Sequence, residues 1–187
     1  MYYVVKYSGQ FGYIKPWTAV RDSETFSQQF LTPSIVEGIE KKLFPELLNE
    51  KGIKRIARHR LSYTGLDFQQ EVTWSKGLKQ KSNPYQKNKS IITRGVMINP
   101  VMHLAFKSQA DAEIAYSQTI CLVRNEDLMF PVELSELSID EFDKINGFEL
   151  MFTNESDGFK VGFNRFNGSD MYGLLKVFGN PTGYTND

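Results

Sequence analysis

The N-terminal part of the chain changes from a strand period to a helix period. Residues 2–7 alternate aromatic and β-branched side chains, which predicts a first strand. Apolar residues then recur at helical spacing from Ile35 to Phe44. Thr32 is a suitable cap for this helix, and Pro33 suits its first position because the missing N–H would be unsatisfied there anyway. Pro45 is expected to stop or kink the helix.

The middle of the chain favours strands around a long hairpin. Residues 53–63 form a strand candidate with many charges, and residues 69–74 and 90–98 form the two arms of a hairpin with a lysine-rich turn. Residues 96–106 continue a period of two that Pro100 interrupts, which indicates a bulge or an edge.

The C-terminal part begins with a helix capped by Ser108, with Asp111 three residues later. Its apolar side is expected to include Ala110 and Ile114 and to continue towards Ile120 and Leu122. Ser138-Ile-Asp-Glu141 is a capping box that predicts a short helix over residues 139–146. Residues 148–153 and 159–163 are strand-like, with a turn at residues 157–158 between them.

The order strand, helix, strand, long hairpin, strand, helix, strand predicts an α+β fold. We expect a ferredoxin-like, RNA-recognition-type βαββαβ module with an inserted basic β-hairpin, or thumb. Residues 1–187 are expected to form one domain. Residues 69–98 would be the protruding hairpin, and residues 108–187 an acidic half that completes the sheet.

Charge is segregated along a chain whose net charge is zero. Residues 1–107 carry 17 basic and 8 acidic residues, whereas residues 108–187 carry 5 and 14. The densest positive window, residues 51–94, holds eleven basic residues and two acids. Cations at this density are tolerated where a polyanion neutralises them or where the segment is merely solvated. The first alternative predicts a nucleic-acid arm, and the acidic half would then face protein neighbours.

The candidate RNA-binding residues are the cations and aromatic side chains in and near this window. They are Lys15, Arg21, Lys54, Arg55, Arg58, His59, Arg60, Trp74, Lys76, Lys79, Lys81, Tyr85, Lys87, Lys89 and Arg94. Trp74 and Tyr85 flank the lysines, where aromatic rings stack on single-stranded bases. Trp74 could equally anchor the hairpin to the core.

Enzymatic and metal chemistry have few candidates. His59 lies between Arg58 and Arg60, two cations that disfavour its protonated form, and it is the weak candidate for a catalytic base. A phosphate contact and a plain surface position are the alternatives. The chain has no phosphate-binding glycine motif, no pair of cysteines and no zinc spacing, so no cofactor or metal is expected. Without a signal peptide or an apolar span, we expect a cytoplasmic protein with no membrane partner.

The stretch YSGQFGYIKPWTAVRDSETFSQQFLTPSIVEGIEKKLF resembles the opening of a CRISPR-associated subunit. That subunit, of the RAMP superfamily, caps the 5′ handle of the guide RNA in Cascade-type (type I) surveillance complexes. The shared features are a first strand ending near a glycine, the segment from Phe11 to Pro16, and a helix opened by Thr and Pro that carries Gly38-Ile39. A basic segment with a hairpin thumb follows in that family, and the resemblance covers about the first 107 residues.

The resemblance implies binding of the crRNA 5′ handle, with backbone and large subunits as protein partners and target DNA as a further candidate. Some members of the superfamily cut repeat RNA with a tyrosine just before the first helix. The matching position here falls near Gln28, which cannot serve as that group. A non-catalytic RNA-binding subunit is therefore the first hypothesis. A metal-independent endoribonuclease that uses His59, and a protein-interaction domain without nucleic acid, are the alternatives.

Overall fold

The computed structural model describes residues 1–16, 24–79, 86–153, 157–164 and 168–183, and for residues 74–79 and 86–88 it describes the backbone. The strands are β1 (Tyr2–Ser8), β2 (Phe11–Gly12), β3 (Glu24–Phe26), β4 (Ile56–Ser62), β5 (Gly65–Lys79), β6 (Gln86–Ile98), β7 (Val101–Phe106), β8 (Ile120–Cys121), β9 (Leu128–Leu137), β10 (Gly147–Thr153), β11 (Phe159–Asn164) and β12 (Ser169–Phe178). The helices are α1 (Pro33–Leu43), α2 (Gln109–Tyr116) and α3 (Ile139–Asp143), and a 3₁₀ turn follows α1 at Pro45–Leu47.

The fold is α+β, with few helices and a mostly antiparallel strand arrangement. Eight strands form one sheet in the order β11-β12-β10-β4-β7-β1-β9-β8, and every neighbouring pair in it is antiparallel. In the second sheet β6 pairs with β5 on one side and with β2 and β3 on the other, and β3 runs parallel to it.

The predicted helix starts are found, although their details differ. Thr32 occupies the N-cap position of α1 but makes no capping hydrogen bond, and Val36, Ile39 and Leu43 are buried. The capping box of α3 is confirmed, because the Ser138 and Glu141 side chains each bind the other residue's backbone N–H.

The predicted apolar side of α2 is wrong. Ala110 and Ile114 are exposed, and the buried residues are Ala112 and Ala115. These small side chains allow the helix to approach β1 closely, where the Tyr7 hydroxyl donates a hydrogen bond of 2.5 Å to the Ala115 carbonyl. The helix ends at Tyr116, so its predicted continuation becomes strand β8.

Two features of the C-terminal strands correct the sequence predictions. Strand β9 was not predicted, because Pro131 and a bulge near it interrupt the alternation of its residues. Residues 148–153 and 159–163 are strands, but they do not pair with each other. β12 lies between them and pairs with both, so residues 157–158 are not a hairpin turn.

The main core lies on the sheet face that α1 and α2 cover, where Val5, Leu104 and Phe106 are fully buried. A smaller core lies on the opposite face, where Phe142 of α3 packs on Val4 and Ala105. Central positions of that second face carry Lys6 and His103, which are cross-strand partners. This face therefore lacks a row of aromatic side chains at its centre.

The second face also holds a cluster of charges between β4 and β10. Arg60 is fully buried and its guanidinium bonds to Glu149 and Asp143, while Arg58 makes two hydrogen bonds to Glu149, of 2.7 and 2.8 Å. The Arg60 guanidinium also lies 3.4 Å from the centroid of the Phe178 ring. The backbones of β4 and β10 share one registered pair, Phe148 opposite Leu61. The ion pairs therefore provide much of the contact between these two strands.

Removal of Glu149 should test that role. We expect Glu149→Leu to lower the free energy of unfolding by about 3–5 kcal/mol, because it leaves the buried Arg60 charge without its main partner. The double variant Arg60→Met/Glu149→Leu should lose less than the sum of the two single variants in urea unfolding. Glu136→Gln, an exposed change on β9, is the control and should stay within about 0.5 kcal/mol of the native protein. Additive losses would contradict the coupling.

Candidate nucleic-acid interface

The segment Lys54 to Arg60 does not present its cations together at the surface. Arg60 is buried, and Arg58 has only 16% of its side chain exposed against Glu149 and Asp143. Burial, together with the nearby Arg58 charge, lowers the pKa of Arg60 to about 10, while Asp143 opposes this shift. Both guanidinium groups therefore bind carboxylates within the fold, and Arg60 stays charged at neutral pH.

The start of this segment is also bound by acids. Arg55 pairs with Glu46 at 2.7 Å and with Asp111 at 3.0 Å, and its guanidinium lies over the Phe44 ring. The buried Glu40 carboxylate accepts the backbone N–H groups of residues 54, 55 and 56 at 2.5–2.8 Å. Lys54 is exposed, so it is the cation of this segment that remains most accessible.

His59 is 9% exposed and lies inside the fold. Its backbone N–H donates to Glu149, and no described residue bonds its Nε2 atom. Burial, with smaller contributions from Arg60 and Arg58, lowers the pKa of His59 to about 4. The sequence anticipated the effect of the two arginines, but burial is the larger cause. In this position the imidazole is buried, and it is neutral at neutral pH.

His103 lies on the other face of the sheet, and its pKa is also lowered. Burial, followed by the charges of Lys6 and Arg60, lowers its pKa to about 4. Its Nδ1 atom is buried without a partner among the described residues. Both histidines therefore remain neutral in the folded protein at pH values where an unfolded chain would protonate them.

A network of charges holds the root of the hairpin, which we define as residues 65–71 and 92–98. Arg94 on β6 pairs with Glu71 on β5 at 2.9 Å, and Arg124, between β8 and β9, contacts Glu71 at 3.4 Å. Arg124 also binds the buried Asp127 at 2.6 Å, and Asp127 accepts the Tyr13 backbone N–H. Arg94 thus has a partner within the fold, and Arg124 is an anchoring residue that the sequence did not reveal.

Glycine allows β3 to pack against this root. Phe26 lies across Gly95, where an added Cβ would come within 2.2 Å of the Phe26 ring. Phe26 also contacts Phe68 edge to face, with ring centroids 5.4 Å apart. Both rings are about half exposed. The root therefore has one charged face and one face with exposed apolar side chains.

Beyond the root, β5 and β6 continue as an outer ribbon, which we define as residues 72–79 and 86–91. β3 pairs with β6 only at residues 93–95 and β2 only at residues 97–98. Within the described part of the chain, the outer ribbon is therefore two-stranded, and at strand rise it spans about 20 Å. A bulge between Trp74 and Leu78 interrupts its register.

The predicted site residues divide between these regions. Lys15 and Lys89 are exposed. Trp74, Lys76, Lys79 and Lys87 lie in the outer ribbon where only the backbone is described. Arg21, Lys81 and Tyr85 lie outside the described residues. The fold brings the lysines at positions 76, 79, 87 and 89 onto one ribbon and separates them from Arg58 and Arg60.

No group of histidine, cysteine, aspartate and glutamate able to hold a metal ion occurs within the described ranges. In the same residues, no helix combines the length and the apolar character needed to cross a bilayer.

No protein-family profile matches the sequence, and no curated protein matches it. Among solved structures, the chain is similar to one described as "CRISPR RNA-guided surveillance complex", with 10% sequence identity and a TM-score of 0.47. The similarity covers 97% of this chain and 91% of that one.

The two buried histidines predict a pH dependence of stability. Because their folded pKa values of about 4 lie below the ordinary 6.5, the unfolded chain takes up protons first as the pH falls. Stability should be full above pH 6.5 and should decrease between pH 6.5 and pH 4, by on the order of 3 kcal/mol between pH 7 and pH 5 for both groups. Urea unfolding at a series of pH values measures this loss.

The variants His59→Gln and His103→Gln should each flatten that dependence. Each removes one group that the unfolded state protonates more readily than the folded state. A pH profile that is the same in both variants and in the native protein would show that other groups cause the loss.

Proposed function

We propose that this chain is a non-catalytic RNA-binding subunit of a CRISPR surveillance complex, which holds the 5′ handle of the crRNA. The observation that carries the RNA-binding part is the outer ribbon. Residues 74–89 contain five lysines and no acid, and no acid occurs between Glu71 and Asp111. An RNA backbone supplies the negative charge that this segment lacks.

The physical state of the ribbon also favours a polyanion as its partner. An isolated two-stranded ribbon is marginally stable in water, and the mutual repulsion of its lysines weakens it further. Binding of phosphates would reduce that repulsion. The root holds the ribbon on the body of the protein, because Arg94 and Arg124 both contact Glu71.

The arrangement of the central strands supports the family part of the proposal. β9, β1, β7 and β4 are neighbours in that order, α1 connects β1 to β4, and α2 precedes β9. This order supports a βαββαβ module of the ferredoxin-like kind, in which β5 and β6 would be inserted between the second and third strands. The resemblance of the first 107 residues to the subunit that caps the 5′ handle then specifies the RNA and the neighbouring subunits as partners.

The acidic half fits a protein neighbour better than RNA. Glu133 and Glu136 are exposed on β9, and among the described residues the ion pair of Glu133 is a long contact of 3.8 Å with Lys6. A phosphate backbone would be repelled from this strand, whereas a basic subunit would be attracted to it.

Loss of the ribbon lysines should weaken RNA binding. In a variant with Lys76, Lys79, Lys81, Lys87 and Lys89 changed to alanine, the affinity for a labelled twelve-nucleotide polyuridine should fall. The slope of log affinity against log salt should flatten by about 0.7 for each lost phosphate contact. Fluorescence anisotropy over a salt series measures both quantities.

The matched control replaces five lysines elsewhere, at positions 42, 107, 144, 160 and 176, with alanine. This variant removes the same charge from the molecule and should keep most of the native slope. If both variants lose slope equally, binding depends on net charge alone and the ribbon is not the site.

Charge reversal on β9 should not weaken RNA binding. We expect Glu133→Lys/Glu136→Lys to bind polyuridine as tightly as the native protein or slightly more tightly, because both residues are exposed and their negative charge repels phosphates. Its thermal midpoint should change little. Weaker binding by the folded variant would show that this acidic strand supports the RNA site.

A further inference from the structure

A pocket of about 320 Å³ lies between the loop after β3 and strands β10 and β12. The Ser27 backbone N–H donates to the Gly95 carbonyl at 2.7 Å, which fixes this loop to the root of the hairpin. The volume is near the lower end of the range of about 300–1,000 Å³ that ligand pockets occupy. It suits one planar ring system better than a large cofactor.

Aromatic rings form part of the wall and are themselves held in place. Phe148 stacks on Tyr63, with ring centroids 6.4 Å apart and an angle of 24° between the planes. Phe30 meets Phe159 edge to face at 6.3 Å. Phe30 and Phe148 line the pocket and are half-buried, so each can offer ring surface to a ligand.

Two glutamine side chains provide the polar part of the wall. Gln28 is 8% exposed, and its Nε2 donates to the Phe30 carbonyl at 2.8 Å. The Gln29 Oε1 accepts a hydrogen bond of 2.6 Å from the Tyr63 hydroxyl. These bonds hold one end of each amide. The Gln28 Oε1 and the Gln29 Nε2, one acceptor and one donor, have no partner among the described residues.

We propose that this pocket takes one unstacked nucleobase of the bound RNA strand. A base offers a flat face to aromatic rings and an edge with both donors and acceptors, which matches the free acceptor and donor of the two amides. Among the described residues, no charged side chain lines the pocket, which favours a base over a phosphate as its occupant. An apolar peptide side chain in the pocket would cover these two amide atoms without pairing them, which is costly.

The surroundings of the pocket are compatible with an RNA strand. Lys15 is exposed and directly precedes Pro16, which lines the pocket, so a cation is close to the rim for the adjoining phosphate. The attachment of the loop to Gly95 places the pocket beside the root from which the lysine-bearing ribbon continues. This inference rests on the proposed RNA-binding function and assigns to it a separate site for reading a base.

The test compares labelled twelve-nucleotide RNAs of adenine, cytosine and uracil, each titrated with the full chain over a salt series. We expect the native protein to distinguish the tightest from the weakest of these RNAs by at least about tenfold, the size of one good base contact. Gln29→Leu should reduce this ratio below about threefold and leave the salt slope unchanged. Phe30→Leu, which removes a ring but keeps apolar bulk, should weaken all three by about five- to thirtyfold.

Gln109→Leu, the same change at an exposed position on α2, is the control and should keep the native ratio. A native ratio within twofold, a native ratio retained in Gln29→Leu, or an equal loss in Gln109→Leu would overturn the base pocket while salt-dependent RNA binding persists. Absence of salt-dependent binding to all three RNAs would instead overturn the proposed function, and the pocket with it. Thermal melting establishes whether each variant is folded. If Gln29→Leu is not folded, the result for Phe30→Leu decides the question.

Discussion

The junction between β4 and β10 depends on a buried ion pair more than on backbone pairing. Arg60 and Glu149 meet inside the protein, with Arg58 and Asp143 beside them, where the two strands share one registered backbone pair. Gly147 permits this approach. Its φ of 155° would strain any other residue, and a Cβ added there would lie only 3.1 Å from Arg60. β10, β12 and β11 follow one another in the sheet from that junction.

The positive charges of the chain fall into two classes, according to whether acids lie near them. Arg55, Arg58 and Arg60 have acid partners within the fold, so their positive charge contributes little to attracting a polyanion. The lysines of residues 74–89 come from a segment with no acid at all. Four lysines of the second class, at positions 76, 79, 87 and 89, lie on a ribbon whose root is tied to the body through Arg94, Glu71 and Arg124. The nucleic-acid interface is therefore expected on the hairpin rather than on β4.

The sequence predicted features that depend on near neighbours and missed those that depend on distant ones. The capping box of α3 and the start of α1 at Pro33 follow from residues within one turn, and both are found. The partner of Arg60 is 89 positions away, so a dense run of cations could not be distinguished from an internal ion-pair cluster. Strand β9 was missed because Pro131 disturbs its period, although residues 130, 131 and 133–137 pair with β1.

Hydrogen–deuterium exchange with and without polyuridine tests the division between the two classes most directly. The outer ribbon has no third strand in the described part of the chain, so its amides should exchange quickly in the free protein and slow down when RNA binds. Residues 56–62, in the middle of the large sheet, should exchange slowly in both states. Protection of residues 54–60 on RNA binding, with no change in residues 72–79 and 86–91, would contradict the account.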